Sequence, residues 1–176
     1  LDGSKIIMPF LPANAKTWFV NNEQLFSILF VVLFLLFSYI LFIIEWIVGK
    51  INKRAKDISS LRIVQWAFRV VLWICGVKIT VIGKENMPKE AALYVGNHRS
   101  FFDILIAYVQ CENLTGFVSK DSMNKVPSFR IWMRYLYCLF LNRKDIKQGM
   151  KTILQAIEYV KQNVSIFIFP EGTRNK

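Results

Sequence analysis

Val164-Ser165-Ile166-Phe167-Ile168-Phe169 runs straight into Pro170-Glu171-Gly172-Thr173-Arg174. Six residues rich in β-branched and aromatic side chains read as a strand, and Pro170 stops it. The run is apolar at nearly every position, which suits a strand covered on both faces by helices. Immediately upstream, Asp145 to Gln162 carries Ile146, Met150, Ile153, Leu154, Ile157 and Val160 at helical spacing. Asp145 with Gln148 has the form of a capping box. The apolar stripe is expected to be core packing. Working outward toward the N-terminus, Leu139–Leu141, Leu114–Val118, Ala91–Val95 and Ile79–Ile82 are further strand candidates. Strands alternating with helical patterns predict an α/β fold, a sheet flanked by helices from about Ile79 onward.

The N-terminal part reads differently. Leu25–Ile44 is LFSILFVVLFLLFSYILFII, free of charge and bracketed by Glu23 and Glu45. Twenty helical residues span about 30 Å, the hydrocarbon thickness of a bilayer. The run shows no amphipathic face, so a soluble core helix fits it less well. It lacks the basic lead-in and small-residue cleavage site of a signal peptide. Lys50, Lys53, Arg54, Lys56 and Arg62 follow it, and the positive-inside bias assigns that side to the cytoplasm. Leu61–Val77 reads as an amphipathic interfacial helix, with Arg62 and Arg69 on one face and Trp66, Val70, Trp73 and Val77 on another. Residues 1–77 are therefore expected to form a membrane-attachment region, as a span or as a hairpin in one leaflet. Residues 78–176 are expected to form the α/β domain.

Composition agrees with this division. The chain has 176 residues, 54% of them hydrophobic, too apolar for a disordered protein. Its net charge of +11 is uneven: two basic residues stand against three acidic ones up to Gly49, and 21 against nine thereafter. A basic body joined to an apolar head argues for a membrane surface or phosphorylated substrates over nucleic acid. Cys75, Cys111 and Cys138 are widely spaced, which argues against a disulfide framework or a zinc site. A single histidine, His98, excludes any multi-histidine metal centre.

Ligand sites in α/β sheets gather beyond the carboxyl ends of the strands, and two such places carry chemistry. The first is Gly96-Asn97-His98-Arg99-Ser100-Phe101-Phe102-Asp103. On a continuous helix His98 and Asp103 would point about 140° apart. Across a strand–turn–helix corner they can meet, and the carboxylate then orients an imidazole able to act as a base near neutral pH. A surface histidine beside a helix-opening aspartate gives the same pattern. The second place is Pro170-Glu171-Gly172-Thr173-Arg174, where Gly172 permits close backbone approach and Arg174 offers a planar fork to a phosphate. An ordinary Pro-Gly turn with a solvated arginine reads equally well from these residues alone.

NHRSFFD followed by FPEGTR, in this order and about 70 residues apart, resembles the glycerolipid acyltransferase family, and within it the 1-acylglycerol-3-phosphate acyltransferases. The resemblance spans roughly Val77 to Lys176. It implies transfer of an acyl chain from a thioester on coenzyme A or acyl carrier protein to the sn-2 hydroxyl of lysophosphatidic acid, yielding phosphatidic acid. It requires no cofactor or metal beyond the thioester co-substrate. In the implied roles His98 takes the hydroxyl proton and Asp103 supports it, with no covalent acyl-enzyme, in keeping with the lack of a GxSxG elbow. Lys120, Arg143, Glu171, Gly172 and Arg174 are the implied substrate-binding residues. The family's usual glycine upstream of Arg143 is replaced, with Tyr137 and Cys138 in that region. Another lysophospholipid or glycerol 3-phosphate as acceptor, and a non-catalytic membrane-anchored lipid-binding protein, are the alternative readings. Family members normally continue past the FPEGTR motif, so a C-terminally truncated domain is expected, with Val164–Phe169 left as an edge strand or lacking a neighbour.

Overall fold

The computed structural model describes residues 22–142 and 145–172. Two long helices come first, α1 (Asn22–Ile51) and α2 (Lys53–Ile74). Strands and helices then alternate: β1 (Leu93–Val95), α3 (Phe102–Gln110), β2 (Thr115–Lys120), α4 (Pro127–Tyr135), β3 (Leu139–Leu141), α5 (Ile146–Lys161) and β4 (Ser165–Ile168).

The four strands form one sheet in the order β1-β4-β2-β3, with every pairing parallel. β4 therefore sits inside the sheet, between β1 and β2, and not at the edge expected for it. Its apolar sequence explains the place: Ile166 is almost wholly buried, as a strand with neighbours on both sides requires. The path from β1 through β2 to β3 runs one way across the sheet, and the step from β3 to β4 runs back. Right-handed crossovers then put α3 and α4 on one face and α5 on the other.

The helical hairpin covers the α3–α4 face. Asn52, the single residue between α1 and α2, caps α2 by accepting from Ala55 N at 3.0 Å. Phe42 of α1, Leu61 and Val64 of α2, Tyr108 of α3, Phe117 of β2 and Trp132 of α4 share one core. Polar contacts fix the alignment. Trp132 Nε1 donates to Ser38 Oγ at 2.8 Å, and Ser38 is fully buried. The buried Glu45 carboxylate accepts from the hydroxyls of Ser59 and Ser60 at 2.8 and 3.0 Å. Gln65, also fully buried, donates through Nε2 to the main-chain oxygens of Tyr108 and Cys111 at the end of α3. The rest of α1 is uncovered: Leu25–Ile51 is long and apolar enough to cross a membrane, and only 17% of its most apolar window is buried.

Three further expectations change. Ile79–Ile82 forms no strand. Ile79, with Val77 just before it, instead packs against Val71, Leu72 and Leu105, while Ile82 is exposed. The helix expected at Leu61–Val77 begins at Lys53 and ends at Ile74, and Arg62, Trp66, Arg69 and Trp73 fall at intervals of four, three and four, on one stripe and not on two faces. All four are exposed. The apolar stripe of α5 is not core: Ile146, Met150, Ile153, Leu154 and Ile157 are exposed. α5 instead turns Gly149, Thr152, Ala156 and Tyr159, all part-buried, toward the rest of the fold, and Thr152 Oγ1 is within reach of Phe140 O at 3.4 Å. The capping residue at its start is as expected, Asp145 Oδ1 accepting from Gln148 N at 3.0 Å.

Candidate active site

A parallel sheet sends all its carboxyl ends to one rim. His98 follows β1, Glu171 and Gly172 follow β4, Lys120 ends β2, and Asn142 follows β3. In the order β1-β4-β2-β3 that rim covers three strand spacings, about 15 Å. Arg143 and Arg174 lie outside the described residues.

His98 and Asp103 are brought together across the corner from β1 to α3. His98 Nδ1 stands 3.4 Å from Asp103 Oδ2, with both side chains mostly covered. The separation is long for a hydrogen bond, and catalytic contacts of this kind often tighten only with substrate bound. The same Oδ2 accepts from the main-chain N–H groups of Arg99 at 2.6 Å and Ser100 at 2.7 Å. Ser100 Oγ in turn accepts from Phe102 N at 2.9 Å. Asp103 thus builds the turn that presents His98, besides facing its ring. With Nδ1 toward the carboxylate, Nε2 is the nitrogen left for chemistry.

The Glu171 carboxylate accepts from the main-chain N–H of His98 at 2.6 Å. This contact places Glu171 beside the histidine loop, a relation the sequence does not disclose. The signal for it is the pairing of β1 with β4, which aligns Val95 with Ile168 and so sets the two following turns side by side. Gly172 has φ +63°, a left-handed conformation that glycine adopts freely. Lys120 is exposed at the end of β2. Burial pushes the Cys111 thiol up to about 11 and the Cys138 thiol up to about 12, so neither is poised as a nucleophile. A separate apolar groove of about 710 Å³ runs between α1 and α2, lined by Phe30, Phe34, Phe37, Leu41 and Trp66 with Arg62 beside them. Among the described residues no cluster of histidine, cysteine and carboxylate groups could hold a metal ion.

Residues 78–176 match the family described as Acyltransferase. The chain belongs to the acyltransferase family. The 1-acyl-sn-glycerol-3-phosphate acyltransferase of Borreliella burgdorferi is 34% identical over 109 residues, covering 61% of this chain and 44% of that protein. The enzyme of the same name from Saccharomyces cerevisiae is 27% identical over 124 residues, covering 67% of this chain and 41% of its own length. The chain thus spans less than half the length of these two curated relatives. The crystal structure of the 1-acyl-sn-glycerophosphate (LPA) acyltransferase from Thermotoga maritima superimposes with a TM-score of 0.73. That match covers 87% of this chain and 61% of the other at 21% identity, a likeness of fold. The acyltransferase match includes both turns described above, from His98 to Asp103 and from Pro170 to Gly172.

Proposed function

We propose that the protein transfers a fatty acyl chain from an acyl thioester to the sn-2 hydroxyl of lysophosphatidic acid, forming phosphatidic acid. The observation that carries this reading is the histidine at the sheet's carboxyl rim with an aspartate at its Nδ1, in a chain of the acyltransferase family. Nε2 of His98 takes the proton of the acceptor hydroxyl as its oxygen attacks the thioester carbonyl. The tetrahedral intermediate collapses, the carbon–sulfur bond breaks, and the proton on His98 passes to the leaving thiolate. Asp103 holds the imidazole in the tautomer that leaves Nε2 free and stabilises the imidazolium that forms. Lys120, Arg143 and Arg174 are assigned to the acceptor phosphate, a dianion suited to several charge-assisted donors. The thioester is carried by coenzyme A or acyl carrier protein.

The same reading seats the hairpin in a membrane. The uncovered apolar side of α1 faces hydrocarbon, and the exposed Arg62-Trp66-Arg69-Trp73 stripe of α2 lies at headgroup level, where arginine and tryptophan are both at home. Lys50, Lys53 and Arg54, at the turn between the two helices, support a cytoplasmic α/β part through the positive-inside bias. The test is acyl transfer by the detergent-purified protein, using labelled acyl-coenzyme A or acyl carrier protein and a panel of acceptors. Lysophosphatidic acid should be the preferred acceptor. Equal use of lysophosphatidylcholine or glycerol 3-phosphate would refute the assigned acceptor, and no transfer to any of them would refute the reaction.

A further inference from the structure

His98 sits in a loop three residues past the end of β1, where Asp103 of α3 faces Nδ1 of its ring. Two residues of the turn after β4 hold it as well, one at the ring and one at the main chain. The imidazole lies on the ring of Phe169, centroids 4.6 Å apart and planes 29° apart. Phe169 rests in turn on Phe167 at 4.9 Å, and Phe167 lies flat on the buried Phe117 at 4.8 Å and 3°. A pile of rings therefore runs from the core to the histidine. The main chain is held as firmly. Three successive N–H groups, those of His98, Arg99 and Ser100, all go to carboxylates, the first to Glu171 and the others to Asp103.

This arrangement follows from the sheet and is not a local accident. β1 and β4 are parallel neighbours, and Gly96 N donates to Ile168 O at 3.1 Å one step beyond their last register pair. The residues that follow each strand are thereby set side by side. Gly96 belongs to the same device: a Cβ there would come within 2.9 Å of the Phe167 ring, so glycine lets the chain pass close over the pile.

We propose that Phe169 and Glu171 are positioning residues for His98. Phe169 fixes the plane of the imidazole, so that Nδ1 faces Asp103 while Nε2 faces the acceptor. Glu171 fixes the main chain from which the imidazole hangs. Glu171, a substrate-binding residue in the roles the resemblance implies, is here assigned a positioning role through the histidine loop. This rests on the reading of His98 as general base, and a misplacement of about 1 Å at such a base can cost about a hundredfold in rate.

The experiment uses the full chain in detergent micelles and has two independent arms. Because His98 is the single histidine, its ring resonances need no assignment. In wild type the Hε1 and Hδ2 protons should carry the ring-current shift of the Phe169 stack, and Phe169→Leu should remove it. In the kinetic arm, Phe169→Leu should lower kcat by about tenfold to a hundredfold with the KM for acceptor held within about twofold, and Phe169→Tyr should recover most of the rate. Glu171→Gln, whose amide oxygen can still accept from His98 N, should keep far more activity than Glu171→Ala. Circular dichroism must show each variant folded. A His98 spectrum unmoved by Phe169→Leu overturns the stack whether or not the protein transfers acyl groups. A folded Phe169→Leu with wild-type kcat overturns the positioning role, as does a Glu171→Gln whose loss falls on acceptor KM. If wild type moves no acyl chain, the proposed reaction fails instead, and the spectral arm still decides the geometry.

Discussion

Asp103 serves three partners with one oxygen, and its substitutions separate them. Asp103→Asn keeps an oxygen that can accept from Arg99 N and Ser100 N, so the turn should survive while the imidazole loses its anionic support. Transfer should fall by a substantial part of the factor seen for His98→Ala, about 10²–10⁴. Asp103→Ala also strips both amides of their acceptor, costing about 1–3 kcal/mol more in stability. Acyl-transfer rates paired with denaturant titrations distinguish the three variants, and a folded His98→Ala with near wild-type transfer would remove the mechanism. At the acceptor end, alanine at Lys120, Arg143 or Arg174 should raise the KM for lysophosphatidic acid. Loss of a charge-assisted contact of about 1.5–3 kcal/mol is about tenfold to a hundredfold. The KM for the thioester should stay nearly constant, and unchanged acceptor kinetics in all three would dissolve the clamp. The cysteines give a pH test. Cys111 is raised from 9.0 to about 11 by burial, so its folded form resists an ionisation that the unfolded chain undergoes from about pH 9. Its contribution to stability is whole below that pH and is lost as pH rises through about 11. At pH 8 only about one such thiol in a thousand is ionised, and maleimide or iodoacetamide should leave Cys111 and Cys138 unlabelled until the protein unfolds.

Among the elements, α3 depends on α2 in a way that no local pattern announces. Gln65 Nε2 donates to Cys111 O at 2.7 Å and to Tyr108 O at 3.0 Å. Gln65→Leu should leave the Cys111 carbonyl dry and cost about 1–3 kcal/mol, read as a lower denaturation midpoint in detergent. A midpoint equal to wild type would mean the glutamine carries no such weight. What the sequence discloses at this scale is set by period. Short apolar runs stopped by Pro170 or Gly96 mark β4 and β1, and the Asp145 cap marks the start of α5, because each signal is local. The site is legible to the same degree: His98 and Asp103 stand on either side of one corner. The contact of Glu171 with His98 is hidden because it depends on which strands are neighbours, a matter of topology. Ile79–Ile82 misleads because an apolar run of four fits a strand or a packing segment equally well. The α5 stripe misleads for a different reason: periodicity shows that a helix has an apolar face, and not that the face is covered.

Across the whole molecule, hairpin and sheet share a core, and this changes what removal of the hairpin should do. Phe42, Leu61 and Val64 of the hairpin pack with Tyr108, Phe117 and Trp132 of the α/β part, and Gln65 and Ser38 cross the same boundary with buried hydrogen bonds. A hairpin that only tethered a finished domain would leave a soluble body when cut away. Here, deleting residues 1–77 uncovers the apolar faces of α3 and α4 and leaves Trp132 Nε1 and the end of α3 without their partners. Each lost buried side chain contact of the size of Leu61 or Phe42 forfeits about 1.5–3 kcal/mol, against a total domain stability of about 5–15 kcal/mol. The truncated body should therefore aggregate or stay with detergent instead of appearing as a monomer in buffer. The full chain should resist release from membranes by high salt, which screens the basic body's attraction to anionic lipid, and should come off with detergent, which replaces hydrocarbon around α1. Membrane sedimentation in salt and in detergent, with size-exclusion chromatography of the truncated form, measures both. Release of the full chain by salt alone would show that charge and not α1 holds it. A monodisperse truncated body with native circular dichroism would show that hairpin and sheet fold independently.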